Sequence, residues 1–388
     1  MAEWLRGRLT EAERALAASV TGWREAGQLT TTAVRWYELA LVRRAQGRLD
    51  AAALTCEQAL DSLVTSGRPL PAAGPSHVGL AEIAYQRDEL DLALRHASEG
   101  IALCRQFVHT TPLADGLATL AMIRQARGDP AGALEAVTEA VQASPGLAGL
   151  LNPVPAQRAR LLLAQGDLAA AARFPQDNGL GPDDEPDYAR ESGHLVLARI
   201  LLAQDRPGQA LALLDRLHVA AVAQGRGDGL IETGALRALA LAAAGDEAGA
   251  VTALAQALKL ACPQGYVRVF ADEGPPMAAL LGRLIAAQRA GRAAADVPLG
   301  YLARLQRAFG AGAPARDPVP PGIIDPLTSR ELEVLEMLAA GRSNQAIAGE
   351  LVVTLDTVKK HVGHVLAKLG AANRTEAVAR ARELSLIP

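Results

Sequence analysis

A short motif recurs along this chain of 388 residues at intervals of 38 to 41 residues. Each copy joins two apolar, alanine-rich stretches through a glycine or aspartate, as in AQGRLDAA at Ala45 and AAGDEAGA at Ala243. Glycine tolerates a positive φ, as the turn of a helical hairpin requires. The six turn residues are Gly47, Asp88, Gly128, Gly166, Asp205 and Gly245. This regular spacing predicts helical hairpins that bury their apolar faces on one another.

Two columns of alanine flank the turns in the same phase. One alanine follows each turn by five residues, at Ala52, Ala93, Ala133, Ala171, Ala210 and Ala250. The other precedes each turn by seven residues, at Ala40, Ala81, Ala121, Ala159, Ala198 and Ala238. Because a small side chain faces a small side chain, the two helices of a hairpin are predicted to cross closely at these positions.

This separation of small residues around a turn resembles the tetratricopeptide repeat, lengthened from its usual period of about 34 residues. The tryptophan, tyrosine and closing proline of that repeat are not in register here, so the resemblance is to a degenerate relative. It implies a right-handed helical solenoid with a concave inner face. An alanine-rich helical bundle without regular stacking is the alternative.

A seventh copy of the motif, GRLTEA at Gly7, places Ala12 in the alanine column, but only residues 1–6 precede it. The first helix of that hairpin would then be missing. This pattern suggests the hypothesis that the chain was shortened from a longer array of repeats.

Composition favours an all-α protein, since half of the residues are apolar and 3% are aromatic. The formal net charge of -3 means that any surface for nucleic acid must be local. Cys56, Cys104 and Cys262 lack the spacing of a zinc site or a disulfide framework, so we expect core residues in a reducing compartment and no metal. The sequence shows no signal peptide and no long apolar run, which predicts a cytoplasmic protein without a membrane segment.

The repeat pattern ends near residue 265, and two further apolar helices are predicted up to residue 310. The stretch Ala311 to Pro326 then contains five prolines in sixteen residues, which is typical of an extended spacer. We therefore divide the chain into helical repeats at 1–265, a helical extension at 266–310, a proline-rich linker at 311–325 and a C-terminal module at 326–388.

Capping patterns predict four short helices in this module. The signals are a capping box at Thr328 and Glu331, Ser343 or Asn344, Thr354, and a capping box at Asn373 and Glu376. The third helix, residues 355–369, carries one apolar stripe formed by Val358, Val362, Val365, Leu366 and Leu369.

Three of the four lysines of the chain lie in this third helix, at Lys359, Lys360 and Lys368. If the apolar stripe packs on the other helices, Lys359, Lys360 and Gly363 face outward together with Asp356 and Ala367. Since Gly363 has no side chain, the helix can approach another surface closely. Short helices, a tight turn and an outward basic helix match the helix-turn-helix geometry that enters the DNA major groove.

Residues 327–384 resemble the LuxR-type helix-turn-helix family. The motifs that carry the resemblance are LTSRELEVL from Leu327, GRSNQAIAGEL from Gly341, TVKKHV from Thr357, KL at Lys368 and NRTEAV from Asn373. The chain departs from the family pattern at Ala346, where glutamate is usual, and at Gly363, where a polar side chain is frequent. Fewer base-reading groups imply a looser sequence preference.

The resemblance also implies roles for individual residues. Lys359, Lys360 and Gly363 would lie at the bases and the groove. Thr357, His361, Lys368 and Asn344 would contact phosphate, and Val378 and Ala381 would form the interface of a dimer on double-stranded DNA with an inverted-repeat operator. A solvated face for the two lysines is the alternative, and His361 with His364 lacks the further ligands of a metal site.

The segments RPGQALALLDRL at Arg206 and GYVRVFADEGPPMAALL at Gly265 are similar to the region that precedes this module in the MalT-like, ATP-binding LuxR-type regulators. No GxxxxGK[ST] motif occurs, and Lys259 follows no glycine-rich loop, so neither ATP nor another cofactor is expected. Trp36 and Tyr37 are interpreted as core residues, with a ligand groove as the alternative.

No nucleophile, base and oxyanion site assemble in the sequence, which predicts that the protein is not an enzyme. We expect a cytoplasmic transcriptional regulator with two regions, a helical solenoid and a four-helix LuxR-type module. The solenoid would hold a small ligand or a protein, and RNA polymerase is a further candidate partner. The main alternative is a solenoid scaffold with a vestigial or self-associating module. A response regulator would need an α/β receiver domain, against which the helical repeats argue.

Overall fold

The computed structural model describes residues 4, 6–65, 68–107, 110–144, 153–290, 297–310, 329–351, 355–369, 371 and 373–383. Contacts divide the chain into two compact units, Met1–Ala313 and Pro314–Pro388. The predicted linker at 311–325 lies outside the described residues.

The first unit is a series of helices joined by short turns. Its helices are α1 (Leu9–Glu25), α2 (Leu29–Ala45), α3 (Leu49–Ser62), α4 (Gly74–Gln86), α5 (Leu90–Phe107), α6 (Thr110–Ala126), α7 (Pro130–Ala143), α8 (Val154–Ala164), α9 (Leu168–Ala171), α10 (Arg173–Asp177), α11 (Glu191–Ala203), α12 (Pro207–Gln224), α13 (Gly227–Ala243), α14 (Glu247–Ala261), α15 (Arg268–Ala271), α16 (Gly274–Arg289) and α17 (Leu299–Gly310). Short 3-10 helices lie at Pro71–Ala73, Tyr188–Arg190 and Cys262–Gln264.

The fold is all-α, as predicted, apart from one small hairpin of strands. Strands β1 (Val64–Thr65) and β2 (Arg68–Pro69) are antiparallel, with Val64 opposite Pro69 and Thr65 opposite Arg68. Two residues per strand are too few to form a separate sheet layer.

The predicted turn residues all occupy the turns of helical hairpins. The backbone angle φ is +72° at Gly7, +78° at Gly47, +60° at Asp88, +80° at Gly128, +85° at Gly166, +58° at Asp205 and +86° at Gly245. Each residue from Gly47 onward joins the first helix of a hairpin to its second helix, in the pairs α2–α3, α4–α5, α6–α7, α8–α9, α11–α12 and α13–α14. The left-handed conformation at the end of the first helix reverses the chain, and this confirms the repeat pattern.

Both alanine columns are buried in the helix crossings. The six alanines that follow the turns are 0% exposed, and the six that precede the turns are at most 3% exposed. A larger side chain at these positions would push the helices apart, because a close-packed interior cannot absorb extra volume. The predicted role of these alanines is therefore confirmed.

The fourth hairpin departs from the regular pattern. Its second helix is interrupted, since α9 ends at Ala171 and α10 begins at Arg173. Pro175 lies in the first turn of α10, a place where proline needs no backbone N–H donor. The proline thus ends the regular helix and explains why this hairpin is shorter than the others.

The end of the solenoid returns to its beginning. The Val267 backbone N–H donates a hydrogen bond to the Gln86 carbonyl over 2.7 Å, and the Asp50 N–H donates to Gln264 Oε1 over 3.0 Å. A Cβ atom added at Gly227 would lie 2.3 Å from the Gln46 carbonyl oxygen, so the backbone approach requires glycine there. The hairpins thus complete one turn of a superhelix whose two ends are in contact.

The second unit contains four helices: α18 (Ser329–Ala339), α19 (Asn344–Glu350), α20 (Leu355–Leu369) and α21 (Arg374–Glu383). The bounds of α20 coincide with the predicted third helix. Gly341 has a φ of +76° and follows the end of α18, where a helix commonly terminates on glycine.

Candidate nucleic-acid interface and central cavity

The apolar stripe of α20 packs on the other three helices of the second unit. Val358 and Val365 are 0% exposed, and Leu369 is 3% exposed. The stripe takes part in two clusters of buried residues, one of Val334, Leu338, Ile347 and Val358 and one of Leu335, Val365, Leu369, Ala377 and Ala381. The buried stripe determines which side of α20 faces solvent.

Side chains hold the ends of these short helices in place. Ser343 Oγ accepts a hydrogen bond from the Ala346 backbone N–H over 3.2 Å, and Asn373 Oδ1 accepts one from the Glu376 N–H over 3.0 Å. Each contact satisfies a helix N–H group that has no partner within the helix. Ser343 is thus the cap of α19, and the departure at Ala346 leaves that cap intact.

The exposed side of α20 presents the residues that the sequence predicts for the DNA groove. Lys359 and Lys360 are both exposed. Gly363 is also exposed, and an added Cβ atom there would meet no other atom within 4 Å. This face therefore combines two positive charges with a stretch of helix that another surface can approach closely.

The four predicted phosphate contacts have different surroundings. His361 and Asn344 are half-buried, Asn344 as the first residue of α19, whereas the side chain of Thr357 lies outside the described part. Lys368 Nζ donates to Glu331 Oε2 over 2.9 Å. The ammonium group of Lys368 is thus held against a carboxylate of its own unit.

The burial of Glu331 is not predicted from the sequence, which indicates only a capping role for this residue. It is 3% exposed, and the exposed His364 places its Nδ1 3.6 Å from Glu331 Oε1. Its predicted capping partner, Thr328, lies outside the described residues. The spacing of the sequence could have predicted this burial. Glu331 precedes Val334 and Leu335 by three and four residues, so it lies on the buried face of α18.

The two predicted dimer residues on α21 differ in burial. Ala381 is 0% exposed and packs in the same cluster as Leu335 and Val365. Its side chain therefore belongs to the core of its own unit and offers no surface to a second copy. Val378 is half-buried and also packs on this core.

A cavity of about 460 Å³ lies inside the solenoid of the first unit. The first helices of all six hairpins contribute to its wall, which is completed by Val269 of α15. Its apolar and aromatic side chains include Trp4, Leu41 and Tyr188. Because one turn of superhelix surrounds the space, residues far apart in sequence share one site.

Four arginines of the cavity wall bind carboxylates. Arg44 Nε lies 3.3 Å from Glu82 Oε2, and its Nη1 lies 3.7 Å from Asp228 Oδ2. Arg226 pairs with Glu191, and the Arg226 guanidinium stacks 5.1 Å from the centre of the Tyr188 ring. These pairs link the first, second, fifth and sixth hairpins through the cavity.

The other two arginines share the carboxylates of the α15–α16 junction. Arg199 Nη2 lies 2.6 Å from Glu273 Oε1 and 2.8 Å from Glu232 Oε1. Arg160 Nη2 lies 3.4 Å from both Glu273 Oε1 and Asp272 Oδ2. Within the described residues, each of the four wall guanidiniums thus already has an anionic partner.

Comparison with known proteins gives a family for the first unit. A family model described as the MalT-like TPR region matches residues 1–287, which is more than half of the chain. The chain belongs to this family. In this MalT-like chain, residues 325–381 also match the family of bacterial regulatory proteins of the luxR type. The two predicted resemblances are therefore confirmed.

The curated relatives of this MalT-like chain are much longer than the aligned part. The HTH-type transcriptional regulator MalT of Klebsiella pneumoniae (strain 342) is 36% identical over 154 residues, which cover 36% of this chain and 17% of the relative. MalT of Serratia proteamaculans (strain 568) is 36% identical over 143 residues, which cover 34% of this chain and 16% of the relative. A solved structure from a functional characterization of Pseudomonas aeruginosa pilF covers 55% of this chain with a TM-score of 0.33 and 15% identity, too low a similarity for any argument.

Two neighbouring carboxyl groups in the cavity of the MalT-like region, Glu82 on α4 and Asp115 on α6, have raised pKa values. Burial, followed by the charge of Glu82, raises the pKa of Asp115 to about 7. Burial also raises the pKa of Glu82, against the opposing charge of Arg44. Tyr37 is a core residue that is 4% exposed. Its hydroxyl donates a hydrogen bond to Asp115 Oδ2 over 2.8 Å, so it reaches a residue of the cavity wall.

Among the described residues of this MalT-like chain, we find no helix with both the length and the apolar character needed to cross a membrane.

Proposed function

We propose that this MalT-like chain is a transcriptional regulator that binds double-stranded DNA through its C-terminal module. The observation that carries the proposal is the exposed face of α20, where Lys359 and Lys360 lie near the bare backbone of Gly363. A helix with such a face can enter the major groove, while its apolar side stays on the rest of the module. The match to the luxR family supports the same function.

The individual contacts are proposed as the resemblance to the LuxR-type family implies them. Lys359 and Lys360 reach the base edges and the groove, while Thr357, His361 and Asn344 contact the phosphate backbone. Lys368 contacts phosphate while it remains paired with Glu331. Such backbone contacts fix the register on the duplex, whereas contacts to base edges read its sequence.

We further propose that two copies bind an inverted repeat with half-sites about one helical turn apart. Because Ala381 is buried, the dimer contact uses the outer side of α21, where Ala379, Arg380 and Arg382 are exposed beside the half-buried Val378. The solenoid is the regulatory region, which responds to a ligand or a protein. RNA polymerase is a candidate partner of the bound dimer, and the cytoplasm is the expected compartment.

The test is the binding of the intact protein to genomic DNA fragments across a salt series. We expect footprints at discrete sites and a steep fall of log K with log salt, because lysine and arginine release counterions from phosphate. Binding at the non-specific level only, with a shallow slope, would contradict the proposal. That result would favour the alternative function, a solenoid scaffold for protein partners.

A further inference from the structure

We propose that the central cavity of the solenoid binds a small organic cation, an aliphatic or aromatic amine whose ammonium group lies at Glu82 and Asp115. The inference rests on the regulatory role proposed above for the solenoid, and it specifies the chemistry of the ligand. Three properties of the cavity wall carry it: its charge, its unpartnered acceptors and its aromatic surface.

The cavity wall carries one more carboxylate than it carries guanidiniums. Four guanidiniums line the cavity, at Arg44, Arg160, Arg199 and Arg226. Five carboxylates line it, at Glu82, Asp115, Glu191, Asp228 and Glu232. Buried charge without a partner is costly, so the surplus of carboxylates favours a ligand that brings positive charge.

An anionic ligand would find no equivalent site. Each of the four guanidiniums lies within 4 Å of at least one carboxylate oxygen, the longest of these contacts being 3.7 Å between Arg44 and Asp228. A bound anion would place a further negative charge beside the carboxylates that already pair with these guanidiniums, and that repulsion costs free energy. The wall therefore selects against anions.

The second property is a set of buried acceptor atoms. Within the described residues, Gln86 Oε1, Gln157 Oε1 and Glu191 Oε1 line the cavity and have no hydrogen-bond partner. Glu191 is 7% exposed, and its other oxygen is bound by Arg226. A buried acceptor costs free energy when it stays unpaired. A ligand that carries several N–H donors would satisfy these atoms.

The position of the ammonium group follows from the surroundings of Asp115. Glu82 on α4 lies beside it, the Tyr37 hydroxyl donates to it from α2, and Arg44 of α2 pairs with Glu82 rather than with Asp115. The thiol of Cys104 on α5 is the remaining titratable group near Asp115. Asp115 is therefore the wall carboxylate for which no paired cation is observed among the described residues.

The third property concerns the carbon frame of the ligand. The same cavity is lined by Trp4, Tyr85 and Tyr188 and by the apolar side chains of Met122 and Val269. Aromatic faces attract cations and also pack well on carbon chains. A volume of about 460 Å³ is in the range of cavities that enclose small organic molecules. The site is thus too large and too apolar for a bare metal ion.

Isothermal titration calorimetry of the intact protein with putrescine, spermidine and tyramine tests the inference. Succinate serves as the anionic probe and sorbitol as the neutral one. We expect saturable binding of at least one amine and of neither control. Near pH 7, binding should release a proton from Asp115, because a nearby cation lowers the pKa of a carboxyl group. Titrations in buffers with different ionisation enthalpies measure this proton without any substitution.

Two substitutions in the cavity and one outside it locate the site. Asp115→Asn and Glu82→Gln should each weaken amine binding about tenfold or more, because each removes a charge-assisted hydrogen bond. Asp61→Asn makes the same change on α3, at an exposed residue away from the cavity wall, and should leave binding unchanged. Circular dichroism of each variant verifies that it is folded.

Several results would overturn the inference. The first is that none of the three amines binds. The second is that an amine binds without proton release and that neither cavity substitution weakens its binding. The third is that succinate or sorbitol binds and the amines do not. Specific DNA binding of the intact protein is a separate measurement. If the protein binds amines but no specific DNA site, the proposed regulator function is contradicted and the amine site is supported. If it binds specific DNA sites but no amine, the amine site is contradicted and the regulator function is supported.

Discussion

Lys368 Nζ lies 2.9 Å from Glu331 Oε2, and this contact joins the last turn of α20 to the first turn of α18. The Glu331 side chain is 4% exposed and that of Lys368 is 18% exposed. The pair therefore holds the predicted recognition helix on the helix that begins the module. Its geometry makes Lys368 a structural residue in addition to a proposed phosphate contact.

Removal of the Lys368 ammonium should destabilise the module. In Lys368→Met the buried Glu331 carboxylate loses a half-buried partner, and we expect a loss of about 1–3 kcal/mol in local stability. Amide hydrogen exchange of the segments Ser329–Ala339 and Leu355–Leu369 in the intact protein measures this loss. Lys360→Met makes the same change at an exposed position of the same helix and should alter protection little. Equal protection in both variants would exclude a structural role for the pair.

Lys359 and Lys360 should supply affinity for DNA. Replacement of either lysine by alanine is expected to cost about 1–3 kcal/mol of binding free energy, measured on a footprinted fragment at constant salt. Lys259→Ala is the matched control, because Lys259 is the one lysine outside the C-terminal module and is also exposed. Unchanged affinity in both module variants would remove the assignment of α20 as the recognition helix.

The alanine columns can be tested within one helix. Ala133 is 0% exposed on α7, whereas Ala131 of the same helix is exposed. Ala133→Leu should destabilise the solenoid by about 1–3 kcal/mol, because the extra methyl groups force the two helices of the hairpin apart. Ala131→Leu should change stability little. Chemical denaturation of both variants gives the comparison, and equal midpoints would argue against close helix crossing at this position.

Asp115 should make the stability of the solenoid depend on pH. Burial and the charge of Glu82 raise the pKa of Asp115 from an ordinary value of 3.8 to about 7. Between these two values the folded state binds more protons than the unfolded state, so this contribution to stability is lost as the pH rises toward 7. Burial raises the pKa of Asp228 to about 6, which acts in the same direction over a narrower window.

The variant Asp115→Asn should remove most of this dependence. The new amide oxygen can still accept the Tyr37 hydroxyl, but it carries no charge to bury. We expect the stability advantage of the variant over the wild type to grow by about 1 kcal/mol or more between pH 5 and pH 8. Thermal unfolding across that range measures the difference. A variant whose stability parallels that of the wild type at every pH would contradict the raised pKa.

Sequence alone determined the local features of this protein. The turn residues, the alanine columns, the bounds 355–369 of α20 and the exposure of Lys359 all depend on neighbours a few residues away. Helical periodicity, capping and positive φ act over one or two turns of chain, so their signals are present in short stretches of sequence. The two family resemblances rested on the same local patterns.

Tertiary structure alone decided which distant residues meet. The hydrogen bond between Val267 and Gln86 depends on a small rotation between successive hairpins. This rotation adds up over the whole solenoid, and no single repeat specifies it. The carboxylates of the cavity share one space only because that superhelix closes. In the same way, Ala381 lies in the core because α21 packs across α18 and α20, and the sequence of α21 alone does not show that packing.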